Sequence, residues 1–225
     1  MKRICFELIL AAVLGALFLA FWVWQAPGAS AKLTSADIDR YVGRIEKRVP
    51  LPPEEASEFL ARLRAWGAAD DGKPVYMVNL MRYYDQVKRI PGLPPVQGTP
   101  VEANARYESA VTPLLVKGGV VPLLGGDTQG MRTAGTRHSN LFGYESEVDD
   151  WSRILLVRYP NRRAFFELIS DPTYLEFMPN KLASLKLGLV PVDGDAVLPD
   201  LRWPVGGFLL LTFLVVGWVR AARSR

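Results

Sequence analysis

Two long apolar stretches, one near each end of the chain, enclose a middle segment whose apolar positions recur with helix and strand periods. Leu8–Trp24 and Trp203–Val219 are each 17 residues long and carry no charged side chain. If the first stretch is extended back to Ile4, at about 1.5 Å per residue it reaches about 31 Å, which matches a bilayer core of roughly 30 Å. The pattern therefore predicts a transmembrane helix at each end.

The charged residues that flank these stretches predict their orientation. Lys2 and Arg3 precede the first stretch, and Arg220, Arg223 and Arg225 follow the second. Because basic flanks stay on the cytoplasmic side, we expect both termini in the cytoplasm and the middle segment across the cell (inner) membrane.

A cleaved signal peptide is the alternative for the first stretch. The small residues Ala29, Ser30 and Ala31 form an acceptable cleavage site. In both interpretations the middle segment is exported, and the second apolar stretch holds it at the membrane.

Two amphipathic helices are predicted at the start of the middle segment. The first follows an N-cap at Thr34–Ser35, and its apolar positions have helical spacing. The second begins at the acidic pair Glu54–Glu55 and ends at Gly67. Pro50–Pro53 separates the two helices.

The remainder of the middle segment predicts the order βαββαβ. The elements are a strand at 74–84, a helix at 101–117, a short strand at 120–124, a strand at 151–159, helices at 161–171 and 174–187, and a short strand at 188–192. The glycine-rich stretch 125–144 is predicted to be a long excursion or a distorted hairpin. This order is typical of a ferredoxin-like α+β sandwich, in which helices cover one face of a four-stranded sheet.

The two long strands are apolar on both faces, as in PVYMVNLMRYY and WSRILLVRY. Helices on one side of the sheet leave its other face to be covered. We therefore expect a homodimer, a dimeric α/β barrel, in which a second copy covers that face.

Three segments also resemble domain-of-unknown-function family 1330, of the dimeric α/β-barrel superfamily: PVYMVNLMRYY, RYESAVTPLLVKGG and DDWSRILLVRYPNRRAFFELISDPTYLEFMPNKLASL. The resemblance covers Glu54–Pro191, and its most specific part is Leu155–Tyr174. It implies the same βαββαβ dimer and no particular activity. Members often carry a His/Arg pair where this sequence has Asn180–Lys181, and paired membrane helices are unusual among them.

The predicted organisation has five parts. They are a transmembrane anchor or signal peptide (1–25), a linker with an amphipathic helix (26–53), a ferredoxin-like domain (54–200), a transmembrane helix (203–219) and a basic cytoplasmic tail (220–225).

Composition excludes several classes of function. One cysteine and one histidine exclude a disulfide scaffold, Cys-rich metal sites and multi-His metal centres. The net charge of +4 comes from the two ends, since residues 25–202 carry 22 basic and 22 acidic side chains. No basic face is therefore expected on the folded segment, and we expect no nucleic-acid partner, no metal and no cofactor.

Four residues of the middle segment are candidates for chemistry. His138 can be a general base, an imidazole that contacts a ligand at the mouth of a pocket, or a solvated loop residue. In the predicted sheet we expect the first and third strands to be parallel neighbours, which would bring Arg82 and Arg158 together as a clamp for a carboxylate or phosphate. The alternative is that each arginine pairs with an acid or lies at the rim of the sheet. Asn79, between two methionines, can orient a ligand or satisfy backbone groups at the dimer seam.

Three functions follow from these features. The first is a membrane-anchored module that binds a small apolar or anionic molecule in the barrel cleft. The second is a cofactor-independent enzyme, a monooxygenase or isomerase, by analogy with the superfamily. The third is an assembly role in which the dimer brings membrane helices together.

Overall fold

The chain forms two compact units, one of Met1–Gly28 with Gly194–Arg225 and one of Ala29–Asp193. The computed structural model describes residues 2–26, 32–133, 136–141, 145, 150–194 and 201–223. The signal-peptide alternative depends on the site at 29–31, which lies outside the described residues.

The first unit is a pair of helices, α1 (Lys2–Gln25) and α7 (Arg202–Ala222). Phe6–Gln25 and Arg202–Ala222 have the length and composition needed to cross a membrane, and their apolar side chains point outward rather than into a protein core. A helix that is apolar on all sides is typical of a membrane span.

Three contacts show that α1 and α7 run antiparallel. At one end of the pair the guanidinium carbon of Arg220 lies 3.8 Å from the centre of the Phe6 ring. At the other end the rings of Trp22 and Trp203 are 6.4 Å apart. Between them, a Cβ atom on Gly206 would come within 2.9 Å of the Phe18 ring, so a larger residue here would displace that ring. The first turn of α1 and the last turn of α7 therefore lie at the same end of the pair.

The second unit is an α+β domain with a four-stranded antiparallel sheet. Its helices are α2 (Ser35–Glu46), α3 (Pro53–Ala68), α4 (Pro100–Lys117), α5 (Arg162–Ile169) and α6 (Pro172–Ser184). Its strands are β1 (Val75–Tyr83), β2 (Val121–Asp127), β3 (Met131–Thr133), β4 (Thr136–His138), β5 (Arg153–Tyr159) and β6 (Leu185–Val192). The sheet order is β2-β5-β1-β6, and β3 pairs with β4 separately. This connectivity is the ferredoxin-like order predicted from the sequence.

The first and third strands of the predicted order, β1 and β5, are neighbours as expected, but the expectation that they are parallel is wrong. Strand β5 pairs antiparallel with β1, with Tyr76 opposite Arg158 and Met81 opposite Arg153. The reason is topological, because β5 also pairs antiparallel with β2 and lies between the two strands that α4 connects. A strand that lies between two parallel strands in an antiparallel sheet runs opposite to both.

The boundary between helix α6 and strand β6 lies three residues earlier in the chain than predicted. Helix α6 ends at Ser184, and Leu185–Leu187 already pair with β1 rather than continuing the helix. The segment LKLGLV alternates apolar residues with period two, which is the strand pattern. Strand β2 is likewise longer than predicted and reaches Asp127.

The core lies between the helices and one face of the sheet. Val75, Met77, Asn79 and Met81 alternate along β1 and are all buried on this face. Helices α2 and α3 join the same core, which includes Ile45, Leu63 and Phe166. The predicted N-cap of α2 is confirmed, since Thr34 and Asp37 form a capping box.

The other face of the sheet carries a broad apolar surface. Val78, Leu80, Ile154 and Leu156 are half-buried there, and Val190 is 45% exposed. We refer to this surface, opposite the helices, as the second face of the sheet.

Candidate functional site

The candidate site is a cavity of about 360 Å³ between α4, α6 and the helix-covered face of the sheet. Its walls are mainly apolar and include Val111, Leu155, Val157 and Phe165. The alternation of β5 points Leu155 and Val157 towards the helices, where α4 and α6 close the space. A mostly apolar cavity of this size with a few polar groups is typical of a small-molecule site.

The most unusual group in this wall is the side chain of Lys181, which is buried on α6. Burial lowers its pKa from 10.5 to about 8, because the charged form loses its hydration, while the charge of Glu108 acts in the opposite direction. Among the residues that the structure describes, no acidic side chain forms an ion pair with Lys181. A charged amine here therefore lacks a counterion in direct contact.

Two tyrosines adjoin this amine. Nζ of Lys181 lies 4.8 Å from the centre of the Tyr107 ring, and that ring meets the Tyr174 ring edge-to-face at 5.7 Å. Burial raises the pKa of Tyr107 and of Tyr174, because the charged form of each phenol would lose its hydration. Both phenols therefore stay neutral in neutral solution and can serve a ligand as hydrogen-bond partners.

The end of the cavity near α4 is polar. Glu108 lines the wall, and its Oε1 accepts a hydrogen bond of 2.9 Å from Nδ2 of Asn104. That amide also donates to the Tyr83 hydroxyl at 3.1 Å, and its own Oδ1 is buried without a hydrogen-bond partner among the described residues. Arg153 lines the same region and pairs with Asp127 at 3.0 Å. The wall at this end therefore contains a hydrogen-bond acceptor, the Glu108 carboxylate, and a donor, the Arg153 guanidinium.

Of the predicted site residues, Asn79 lies in the cavity wall. Its Nδ2 donates to the carbonyl oxygens of Met77 and Leu155, at 3.2 and 3.3 Å. The side chain lies on the helix-covered face of the sheet and satisfies backbone carbonyl groups, as the second alternative expected, and the dimer seam of that alternative stays a prediction. Because the Asn79 Nδ2 group donates to these backbone carbonyls, its Oδ1 is the atom that can accept a hydrogen bond from a ligand.

Arg82 and Arg158 do not form the predicted clamp. Arg158 lies opposite Tyr76, whereas Arg82 lies opposite Lys186, six residues further along β1. At about 3.3 Å per residue the two positions are roughly 20 Å apart. Both belong to the second face of the sheet, and both have partners of their own within the chain. The error follows directly from the direction of β5.

His138 ends the short strand β4, opposite Met131. Its imidazole lies outside the described part of the structure, so its role stays a prediction. In the described residues no group of three or more His, Cys, Asp or Glu side chains is placed to hold a metal ion.

Lys181 is the site residue that the sequence analysis did not select. Tyr174, Met178 and Lys181 have the spacing of one helix face, and all three are buried. A lysine on the apolar face of a helix is the signal that identifies such a residue, because lysine is almost never fully buried unless it is paired.

The chain was also compared with known proteins. No family model matches it. No curated protein matches it significantly. Membership of family 1330 therefore stays a prediction.

Several solved structures are similar. Methylated RPA0582 is 25% identical over 62% of this chain and 92% of its own, with a TM-score of 0.49. RPA0582 from Rhodopseudomonas palustris, a protein of unknown function, is 26% identical over 60% and 90%, with a TM-score of 0.46. SnoaB from Streptomyces nogalater, a cofactor-independent oxygenase, is 12% identical over 57% and 99%, with a TM-score of 0.34. Likeness at this level does not transfer an activity to this chain.

Proposed function

We propose that this protein is a membrane-anchored binding module that holds a small, largely apolar molecule with one anionic group in the cavity between α4, α6 and the sheet. The observation that carries the proposal is the buried amine of Lys181 in an apolar wall. An unpaired charge in such a place is costly, and a ligand anion supplies the missing counterion.

The other wall residues complement this role. The apolar side chains exclude water, which strengthens the attraction between the ammonium and an anion. The hydroxyls of Tyr107 and Tyr174 and the Asn79 oxygen give the ligand directional hydrogen bonds. Glu108 lies nearby, so the ligand has to place its anion on the lysine side of the cavity.

Two further parts of the proposal concern the whole molecule. Helices α1 and α7 anchor the chain in the cell membrane, with the domain on the extracytoplasmic side and both termini in the cytoplasm. The antiparallel pairing of these helices supports a two-span anchor, because it places the first turn of α1 and the last turn of α7 at one end.

A homodimer covers the second face of the sheet and completes a dimeric α/β barrel. The half-buried and exposed apolar residues of that face support this part of the proposal. Burial of such a surface by a second copy removes it from water, which is the main source of stability in homodimers.

Ligand retention tests the binding function. The full-length chain is purified in detergent, mixed with metabolite pools and washed, and the retained molecules are identified by mass spectrometry. Lys181→Met is the matched control, because methionine is a flexible, unbranched apolar side chain. We expect an anionic molecule that is retained by the wild type and lost from the variant.

The other outcomes separate the alternatives. Equal retention by both proteins contradicts the role of Lys181. Conversion of the retained molecule to a product favours the cofactor-independent enzyme. If a folded chain retains no molecule from any pool, the assembly role is favoured.

A further inference from the structure

A second cavity, of about 450 Å³, adjoins the first. Five residues belong to both walls: Phe165, Ile169, Tyr174, Lys181 and Leu189. Helices α2 and α3, with the loop between them, contribute much of the remaining wall: Ile45, Leu51, Phe59, Leu63 and Trp66. Lys181 thus borders both spaces.

The two cavities differ in polarity. The first is lined by Asn79, Glu108, Thr112 and Arg153 in addition to Lys181. The wall of the second, within the described residues, has one charged side chain besides Lys181, that of Arg62, which forms an ion pair with Glu58. The first cavity is therefore the more polar of the two, and Lys181 lines both.

We propose that the ligand is an amphiphilic carboxylate whose head lies beside Lys181 in the first cavity and whose alkyl chain fills the second. The proposal rests on the proposed function and names the class of ligand. A single ammonium group suits a monoanion, because a phosphate dianion requires more donors. Arg153, the other cation in the wall of the first cavity, already pairs with the Asp127 carboxylate at 3.0 Å.

Helices α2 and α3, which precede the βαββαβ unit, form much of the wall of the second cavity. A βαββαβ unit consists of four strands and two helical connections, whereas this domain places α2 and α3 before them. Their apolar side chains are part of the core and also wall the cavity. A chain of methylene groups gains free energy in such a space in proportion to the apolar surface that it buries.

Chain-length dependence tests the proposal. Binding of straight-chain carboxylates from butanoate to decanoate is measured by calorimetry on the full-length chain in one detergent, with the matching alcohols as uncharged probes. We expect wild-type affinity to rise by about fourfold per methylene group, the factor that corresponds to about 0.8 kcal/mol. Lys181→Met removes the preference for the carboxylate over the alcohol.

Two substitutions in the second cavity move the chain-length limit in opposite directions. Leu51→Trp fills the space, so the rise in affinity stops at a shorter chain. Phe59→Ala enlarges the space, so the rise continues to a longer chain. Leu115→Trp is the matched control, because Leu115 lines only the first cavity, and it weakens all chain lengths equally.

The outcomes distinguish this proposal from the one on which it rests. If affinity does not rise with chain length, or if Leu51→Trp and Phe59→Ala leave the limit unchanged, the amphiphile is excluded. Naphthoate, a compact aromatic carboxylate, then still binds the wild type if the proposed function is right. Absence of both alkyl carboxylate and naphthoate binding contradicts both proposals.

Discussion

Nζ of Lys181 lies 4.8 Å from the centre of the Tyr107 ring, so a cation on α6 faces an aromatic ring on α4 across the candidate site. Such a contact stabilises a cation by about 0.5–2 kcal/mol. Burial of an unpaired charge costs several kcal/mol. The contact with the ring therefore offsets only part of the free energy that burial of the ammonium costs. A bound anion would offset the rest of that cost.

We predict that the stability of the folded chain rises with pH above pH 8. The pKa of Lys181 is about 8 in the folded chain and 10.5 for an exposed lysine. Between these values the unfolded chain binds more protons, so the unfolding free energy increases with pH. At about 1.4 kcal/mol per pKa unit, the gain from pH 8 to about 9.5 is about 1–2 kcal/mol.

Denaturation of the wild type and of Lys181→Met across this pH range measures the gain as a difference between the two proteins. The comparison stops below pH 10, where tyrosine ionisation in the unfolded chain destabilises the fold. Parallel curves for the two proteins would exclude a perturbed lysine.

Anion binding is predicted to take up a proton at pH 8. Lys181 is then about half protonated, and a bound carboxylate raises its pKa. Burial keeps Tyr107, Tyr159 and Tyr174 neutral at this pH, and Arg153 stays charged. Naphthoate calorimetry in Tris and in phosphate gives the number of protons from the difference in heat.

Two variants identify the source of this proton. Lys181→Met should show no buffer-dependent heat, whereas Glu108→Gln should retain it. Uptake that persists in Lys181→Met assigns the proton to another group.

Much of the fold could be predicted from the sequence, because period and burial agree along β1 and α2. The direction of β5 could not be predicted from periodicity, since a strand has the same alternation in both directions. The start of β6 at Leu185 was missed because LASLKL suits both a helix and a strand.

The candidate site was predicted less well than the fold. Asn79 stands out in sequence as a polar residue within an apolar strand, and it does line the cavity. The predicted clamp of Arg82 and Arg158 is wrong, because the two residues would be close only if β5 ran parallel to β1. Lys181 was not selected, because its burial depends on how α6 packs against α4 and not on local sequence alone.

Arg82→Ala is predicted to leave naphthoate affinity unchanged. Residues of β1 alternate between the two faces, and Arg82 belongs to the face opposite the cavity. Calorimetry on the variant checks this, with Lys181→Met as the positive control. If Arg82→Ala lowered naphthoate affinity as much as Lys181→Met does, Arg82 would be part of the binding site.

Val190→Lys is predicted to convert the proposed homodimer to a monomer. Val190 lies on the second face of the sheet and is 45% exposed, and a charge there opposes burial by a second copy. Val101→Lys is the control, because Val101 is 59% exposed on α4, away from that face. Sedimentation of both full-length variants in detergent distinguishes the two states. A wild-type monomer, or a dimer that survives Val190→Lys, contradicts this interface.

Calorimetric binding of naphthoate and of neutral naphthamide to the wild type and to Lys181→Met tests most directly whether a buried lysine holds a ligand anion. Loss of one charged hydrogen bond, about 1.5–3 kcal/mol, lowers the affinity of the variant for naphthoate by about tenfold to hundredfold. We expect naphthamide, which has the same ring system and no charge, to bind both proteins equally. Equal naphthoate affinity in the two proteins, or an equal loss for both probes, would contradict an anion site at Lys181.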